Sequence, residues 1–181
     1  MSLRGYSRAL MAVVALVLGL IAVPTTAVAS PTQSESTALA RTVYYSASGY
    51  SAEADQAAQI WNSRVPNVRM VRGGSATIKI YATTGGGSRA YVCGLGCATI
   101  YIDSRDIAAG HYALRIMTHE IGHGLGLPDN YNGVCSVLMS GGSAGTSCRN
   151  PYPNSTEASR VNQLFAGYAT TPRISSGVYA R

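Results

Sequence analysis

His119, Glu120 and His123 stand in the segment "MTHEIGHGLGLPDNY", two imidazoles four residues apart with a carboxylate beside the first. On an α-helix positions i and i+4 share a face, so both imidazoles can reach one metal ion, and Glu120 can reach a water beside it. This spacing is a Zn2+ pattern with a built-in general base. A catalytic zinc takes three protein ligands and keeps a fourth position open, so a third ligand is needed. Beyond His123 the only ionised acids are Asp129 and Glu157, and the only other histidine is His111, upstream. Asn154 and Glu157 form a capping box that accounts for Glu157. Along a continuous helix His111 would lie roughly 12 Å from His119. Asp129 therefore completes the expected set His119, His123 and Asp129, since Gly126 can turn the chain and Pro128 stiffens it. The competing reading of Asp129 is a solvated turn residue next to Asn130.

The chain must hold these groups within one domain: it has 181 residues, 46% hydrophobic and 12% charged, too few for two comfortable cores. Residues 1–29 carry Arg4 and Arg8, an apolar run from Ala9 to Val23, and Ala27-Val28-Ala29 before Ser30, the zones of a secretory signal peptide. Residues 30–41 are small and polar and read as a pro-segment or flexible leader, with the mature start between Thr37 and Thr42. Residues 42–181 are the expected catalytic domain. Loss of Arg4 and Arg8 lowers the formal charge from +6 by two, to +4. The remaining cations are scattered, so neither nucleic acid nor, after signal removal, a membrane is an expected partner.

Four cysteines in an exported chain point to disulfides, and three pairings are possible. Cys93 with Cys97 and Cys135 with Cys148 close two local loops and are favoured; a zinc-thiolate cluster at Cys93 and Cys97 is the alternative.

The hydropathy pattern predicts a strand at "RTVYYSA", a helix from Ser51 to Val65 stopped by Pro66, and short strands at "NVRMV" and "ATIKIYA". A hairpin tied at its tip follows at "RAYVCGLGCATIYID", then a helix from about Ala108 to Leu125 that carries the histidines. An irregular stretch, Asn130 to Pro153, precedes a last helix capped by Asn154. The tail "TTPRISSGVYAR" carries no usable signal.

H-E-x-x-H-x-x-G-x-x-D, His119 to Asp129, resembles the metzincin zinc motif with aspartate as third ligand. With "CSVLMSGG", "AAQIWNS" and "NPYPNSTEASRVNQL" the chain resembles the snapalysin family, small secreted neutral metalloproteases of streptomycetes. The resemblance implies an α+β, metzincin-like domain: a twisted, mostly β-sheet, a backing helix, an active-site helix and a C-terminal helix. It implies that Met139 lies in the Met-turn beneath the metal and that Tyr131 assists the tetrahedral intermediate; on sequence alone Tyr131 is as well read as a packed aromatic. It further implies a preference for aromatic residues just after the cut. A calcium site of some members does not carry over, because Tyr112 and Leu114 stand at its positions, although Asp103 and Asp106 lie nearby. The Cys93/Cys97 loop is an addition to the family pattern.

The expected function is therefore a secreted, monomeric zinc endopeptidase acting on proteins or peptides, with Glu120 as general base. The alternatives are a metallohydrolase acting on a non-protein or cell-wall peptide substrate, and a binding protein with structural zinc. Retention of Glu120 counts against the last. The expected substrate edge is the strand around Arg89 to Cys93, with a side-chain pocket where Ser140, Gly141 and Gly142 leave space.

Overall fold

The computed structural model describes residues 40–166 and 177–180. The expected signal and nearly all of the expected leader lie outside the described residues. No helix among the described residues is long and apolar enough to cross a membrane.

Alternation of apolar and polar residues builds one mixed sheet. Strands β1 (Arg41–Ser48), β2 (Val68–Arg72), β3 (Ile78–Thr83), β4 (Arg89–Gly94), β5 (Cys97–Asp103) and β6 (Gly177–Ala180) lie in the order β2-β1-β3-β5-β4-β6. The first four in that order run parallel, and β4 is antiparallel to both β5 and β6. Val43, Tyr45, Met70, Ile78, Ile80, Ala90, Ile100 and Ile102 are buried, as the period of two requires of a sheet covered on one face.

Helix α1 (Ser51–Arg64) and helix α3 (Ala113–Gly124) pack against that sheet and each other. Trp61 of α1 is fully buried and donates its indole N–H to the Thr118 carbonyl at 3.1 Å. In α3 every residue after Ala113 is buried, as in a helix enclosed on all sides. A Cβ on Gly124 would stand 3.2 Å from both Ala98 and Ile78, so glycine lets the helix settle onto the sheet.

The hairpin is tied as expected by Cys93–Cys97, and the second bridge joins Cys135 to Cys148. At the hairpin tip the Gly96 amide donates to the Gly124 carbonyl at 2.8 Å, which caps the end of α3. The first disulfide thus secures a loop that holds the histidine-bearing helix. Helix α4 (Ser155–Ala166) begins with the expected capping box: Glu157 N–H donates to Asn154 Oδ1 at 2.9 Å, and Asn154 N–H to Glu157 Oε2 at 2.7 Å.

Two expectations need correction. The helix expected from Ala108 is two helices, α2 (Ser104–Ala108) and α3, separated at Gly110, whose φ of 100° is incompatible with a continuous helix. The strand around Arg89 to Cys93 is not a free edge, because β6 pairs along it. Asp103 accepts the Gly85, Gly87 and Arg105 amides and Asp106 accepts that of Ser88, all at 2.8–2.9 Å. These carboxylates shape the glycine-rich turn before β4.

Candidate metal centre

Helix α3 ends in a Schellman motif that delivers the third acid. Gly126, at φ 97°, donates to the His123 carbonyl at 2.9 Å, and Leu127 N–H reaches back to Gly122 at 3.0 Å. The chain reverses there, and Asp129 returns to the face that carries the histidines. The Asn130 amide then donates to the Met139 carbonyl at 2.8 Å, tying this loop to the next.

His119 Nε2 and His123 Nε2 lie 3.1 Å apart, and Asp129 Oδ1 lies 3.3 and 3.5 Å from them. Both imidazoles are buried. Each turns Nδ1 to a backbone carbonyl, His119 to Leu138 at 3.1 Å and His123 to Leu127 at 2.8 Å. A carbonyl only accepts, so the neutral ring carries its proton on Nδ1 and presents a lone pair at Nε2. Three acceptors therefore converge on one point, an arrangement that a cation stabilises and that neutral groups alone do not. Ligand atoms about 2.0–2.2 Å from a tetrahedral zinc stand roughly 3.3–3.5 Å from one another. The two distances to Asp129 fall in that range, and the distance between the imidazole nitrogens is 0.2 Å shorter than its lower end. Burial of Asp129 works against its charge, but the imidazoles of His119 and His123, with the Tyr131 hydroxyl, outweigh it and hold the carboxyl well below the ordinary carboxylate range. His111 is not in the cluster formed by His119, His123 and Asp129. Glu120, between the histidines, is fully buried.

A short 3₁₀ segment, Leu138–Ala144, forms the floor. Met139 lies against α3, where a Cβ on Gly122 would stand 3.0 Å from its sulfur. Tyr131 is 54% exposed at the rim, with its ring edge 3.4 Å from the position a Cβ on Gly141 would take. The space expected at Ser140 is absent: the residue is fully buried and its hydroxyl donates to the Val134 or Val137 carbonyl, at 2.9 and 2.7 Å. Any opening on this side is at Gly142, which is partly exposed.

Three residues outside the expected set lie against the site or hold the loop beneath it. Glu157 does more than cap its helix, because its carboxylate also accepts the Leu138 amide at 3.1 Å and the Met139 amide at 2.8 Å. Arg115, buried on α3, forks into the carbonyls of Cys135, Val137, Leu138 and Asn150 and the Ser140 hydroxyl, at 2.6–3.3 Å. Tyr179 of β6 stacks on His123 with ring centroids 4.2 Å apart and planes 12° from parallel. The capping-box spacing located Glu157, whereas a lone arginine in an apolar helix and a tail tyrosine carried no comparable mark.

Residues 40–168 match the model of the Streptomyces extracellular neutral proteinase (M7) family. The extracellular small neutral protease of Streptomyces lividans is 48% identical over 136 residues, covering 72% of this chain and 60% of that protein. That of Streptomyces sp. (strain C5) is 50% identical over 134 residues, 71% of this chain and 58% of its own. The one from Streptomyces caespitosus is 47% identical over 121 residues, 66% of this chain and 91% of its own. The chain thus spans about three-fifths of the length of the first two relatives and nine-tenths of the third. The family match takes in the histidine helix, Asp129, the Met139 floor and α4. This chain belongs to the Streptomyces extracellular neutral proteinase (M7) family.

Proposed function

We propose that the chain is a secreted zinc endopeptidase, with residues 1–29 as signal, 30–41 as leader and 42–181 as the catalytic domain. The observation that carries this reading is the convergence of His119 Nε2, His123 Nε2 and Asp129 Oδ1 beside a buried Glu120. The relatives from Streptomyces lividans and Streptomyces caespitosus are extracellular small neutral proteases, which supports it.

His119, His123 and Asp129 would hold the zinc, whose Lewis acidity polarises a peptide carbonyl and brings the pKa of a water to about 7. Glu120 would take a proton from the attacking water as its oxygen adds to the carbonyl carbon. The same carboxyl then delivers the proton to the amide nitrogen as the C–N bond breaks. Tyr131, at the rim, donates its hydroxyl to the oxygen that gains negative charge. The preferred bonds are those preceding aromatic residues, whose large apolar area anchors a peptide in a shallow cleft.

The test compares wild type with Glu120→Gln, measuring bound zinc and the digestion of denatured casein. Zinc content should be retained while turnover falls by about 10²-fold or more. Near-wild-type turnover in the zinc-loaded variant would sink the mechanism. Cut sites placed without regard to the following residue would remove the aromatic preference alone.

A further inference from the structure

Strand β4 is bordered by β5 on one side and β6 on the other, so β6 alone separates β4 from being the sheet's outermost strand. The β6 pairing is antiparallel and in continuous register: Arg89 with Ala180, Ala90 with Tyr179, Tyr91 with Val178 and Val92 with Gly177. A strand edge offers a row of backbone donors and acceptors to any extended chain, and β6 occupies that row as a bound peptide would.

The register also decides where Tyr179 points. Directly opposed residues in an antiparallel pair project to the same face. Ala90 is fully buried on the face covered by α3, so Tyr179 projects to that face and lays its ring on His123. Segment Gly177–Ala180 therefore engages both the strand edge and one side of the proposed metal centre. It also lies beyond residues 40–168, the part of the chain that matches the family.

We infer that β6 is an internal occupant of the peptide-binding edge, an autoinhibitory strand that substrate must displace. The inference rests on the peptidase reading above for the identity of the competing ligand. A segment on the same chain faces its site at an effective concentration of roughly millimolar, so even weak pairing to the strand edge opposes binding of a free peptide. Only four residue pairs join β6 to β4, so the occupant is displaceable. The kinetic signature is a raised KM at unchanged kcat, because the complex that reacts has already lost β6.

The test uses the full chain with two substitutions, Tyr179→Ala, which removes the ring from His123, and Val178→Pro, which removes a backbone N–H and disrupts strand pairing. On a Glu120→Gln background, binding of a fluorescent tyrosine-containing casein decapeptide is measured by anisotropy, and amide exchange of 177–180 is followed with and without the peptide. With Glu120 intact, KM and kcat are measured for the same peptide. Both substitutions should tighten peptide binding and lower KM, by about 10-fold for Val178→Pro and about threefold for Tyr179→Ala, with kcat unchanged. In the parent chain the peptide should accelerate exchange at 177–180. Equal or weaker binding in both variants, or unaltered exchange on peptide addition, overturns the inference. Failure of the peptide to bind any form overturns it as well. Binding that tightens as expected without cleavage in any zinc-loaded protein counts against the peptidase reading alone.

Discussion

The carboxylate of Glu157 receives the Met139 amide at 2.8 Å, so the residue that caps the last helix also fixes the floor of the candidate metal centre. With the Leu138 and Asn154 amides, three backbone donors depend on one buried side chain. Glu157→Ala leaves all three without that acceptor. At about 1–3 kcal/mol for each buried donor left unsatisfied, the loss of stability should be about 3 kcal/mol or more. Urea unfolding of the variant measures it. A loss near the ~1 kcal/mol of an ordinary helix cap would show that the floor contacts contribute nothing.

Arg115 performs the matching task from the other side, its fork spanning carbonyls on both sides of the Cys135–Cys148 bridge. Lysine keeps the charge but is a point donor without the planar fork. Arg115→Lys should therefore destabilise the protein by about 2–3 kcal/mol. It should also weaken zinc binding, because the loop it holds supplies the Leu138 carbonyl that orients His119. Wild-type zinc affinity together with lowered stability would confine Arg115 to the fold.

The candidate metal-binding set was legible because it is local: His119 and His123 are related by helix geometry, and Asp129 follows one glycine turn later. The two disulfides and the cap of α4 are local in the same sense. The Glu157–Met139 and Arg115–Val137 contacts join a side chain to backbone 18 and 22 residues away, and such pairings impose no period or composition on the sequence. Strand β6 was illegible for a related reason. Four residues define no alternation of their own, and their strand state depends on β4 being there to pair with. Ser140 misled because a small residue in a loop suggests space, whereas its hydroxyl is a buried node between Arg115 and two carbonyls.

The acid limb of stability should depend on Asp103. The Gly85 amide, then those of Arg105 and Gly87, hold its carboxyl below the ordinary value. A depressed folded-state pKa contributes stability that is fully present above the unfolded value of about 3.9 and is lost as pH falls through the folded value. Asp103→Asn cannot show that dependence. Thermal melting between pH 7 and pH 2 should find the variant less stable at neutral pH, with the gap to wild type closing below about pH 4. A gap that stays constant down to pH 2 would refute the linkage.

Gly141 and Gly145 separate backbone strain from displacement of a ligand. Both have positive φ, 55° and 78°, so alanine at either is strained by about 1–3 kcal/mol. A Cβ at Gly145 meets nothing within 4 Å, whereas one at Gly141 stands 3.1 Å from Cε1 of His119. That carbon lies between the two ring nitrogens. The ring cannot withdraw without lengthening the bond from Nδ1 to the Leu138 carbonyl or moving Nε2 away from Asp129. Gly145→Ala should therefore lower the melting temperature and leave zinc affinity unchanged. Gly141→Ala should lower both, with affinity reduced by about 10-fold or more, as when a residue supporting a metal ligand is lost. Zinc titration of the two apo-proteins against a chromogenic chelator decides the matter, and equal affinities would mean that Gly141 is needed for its backbone conformation alone.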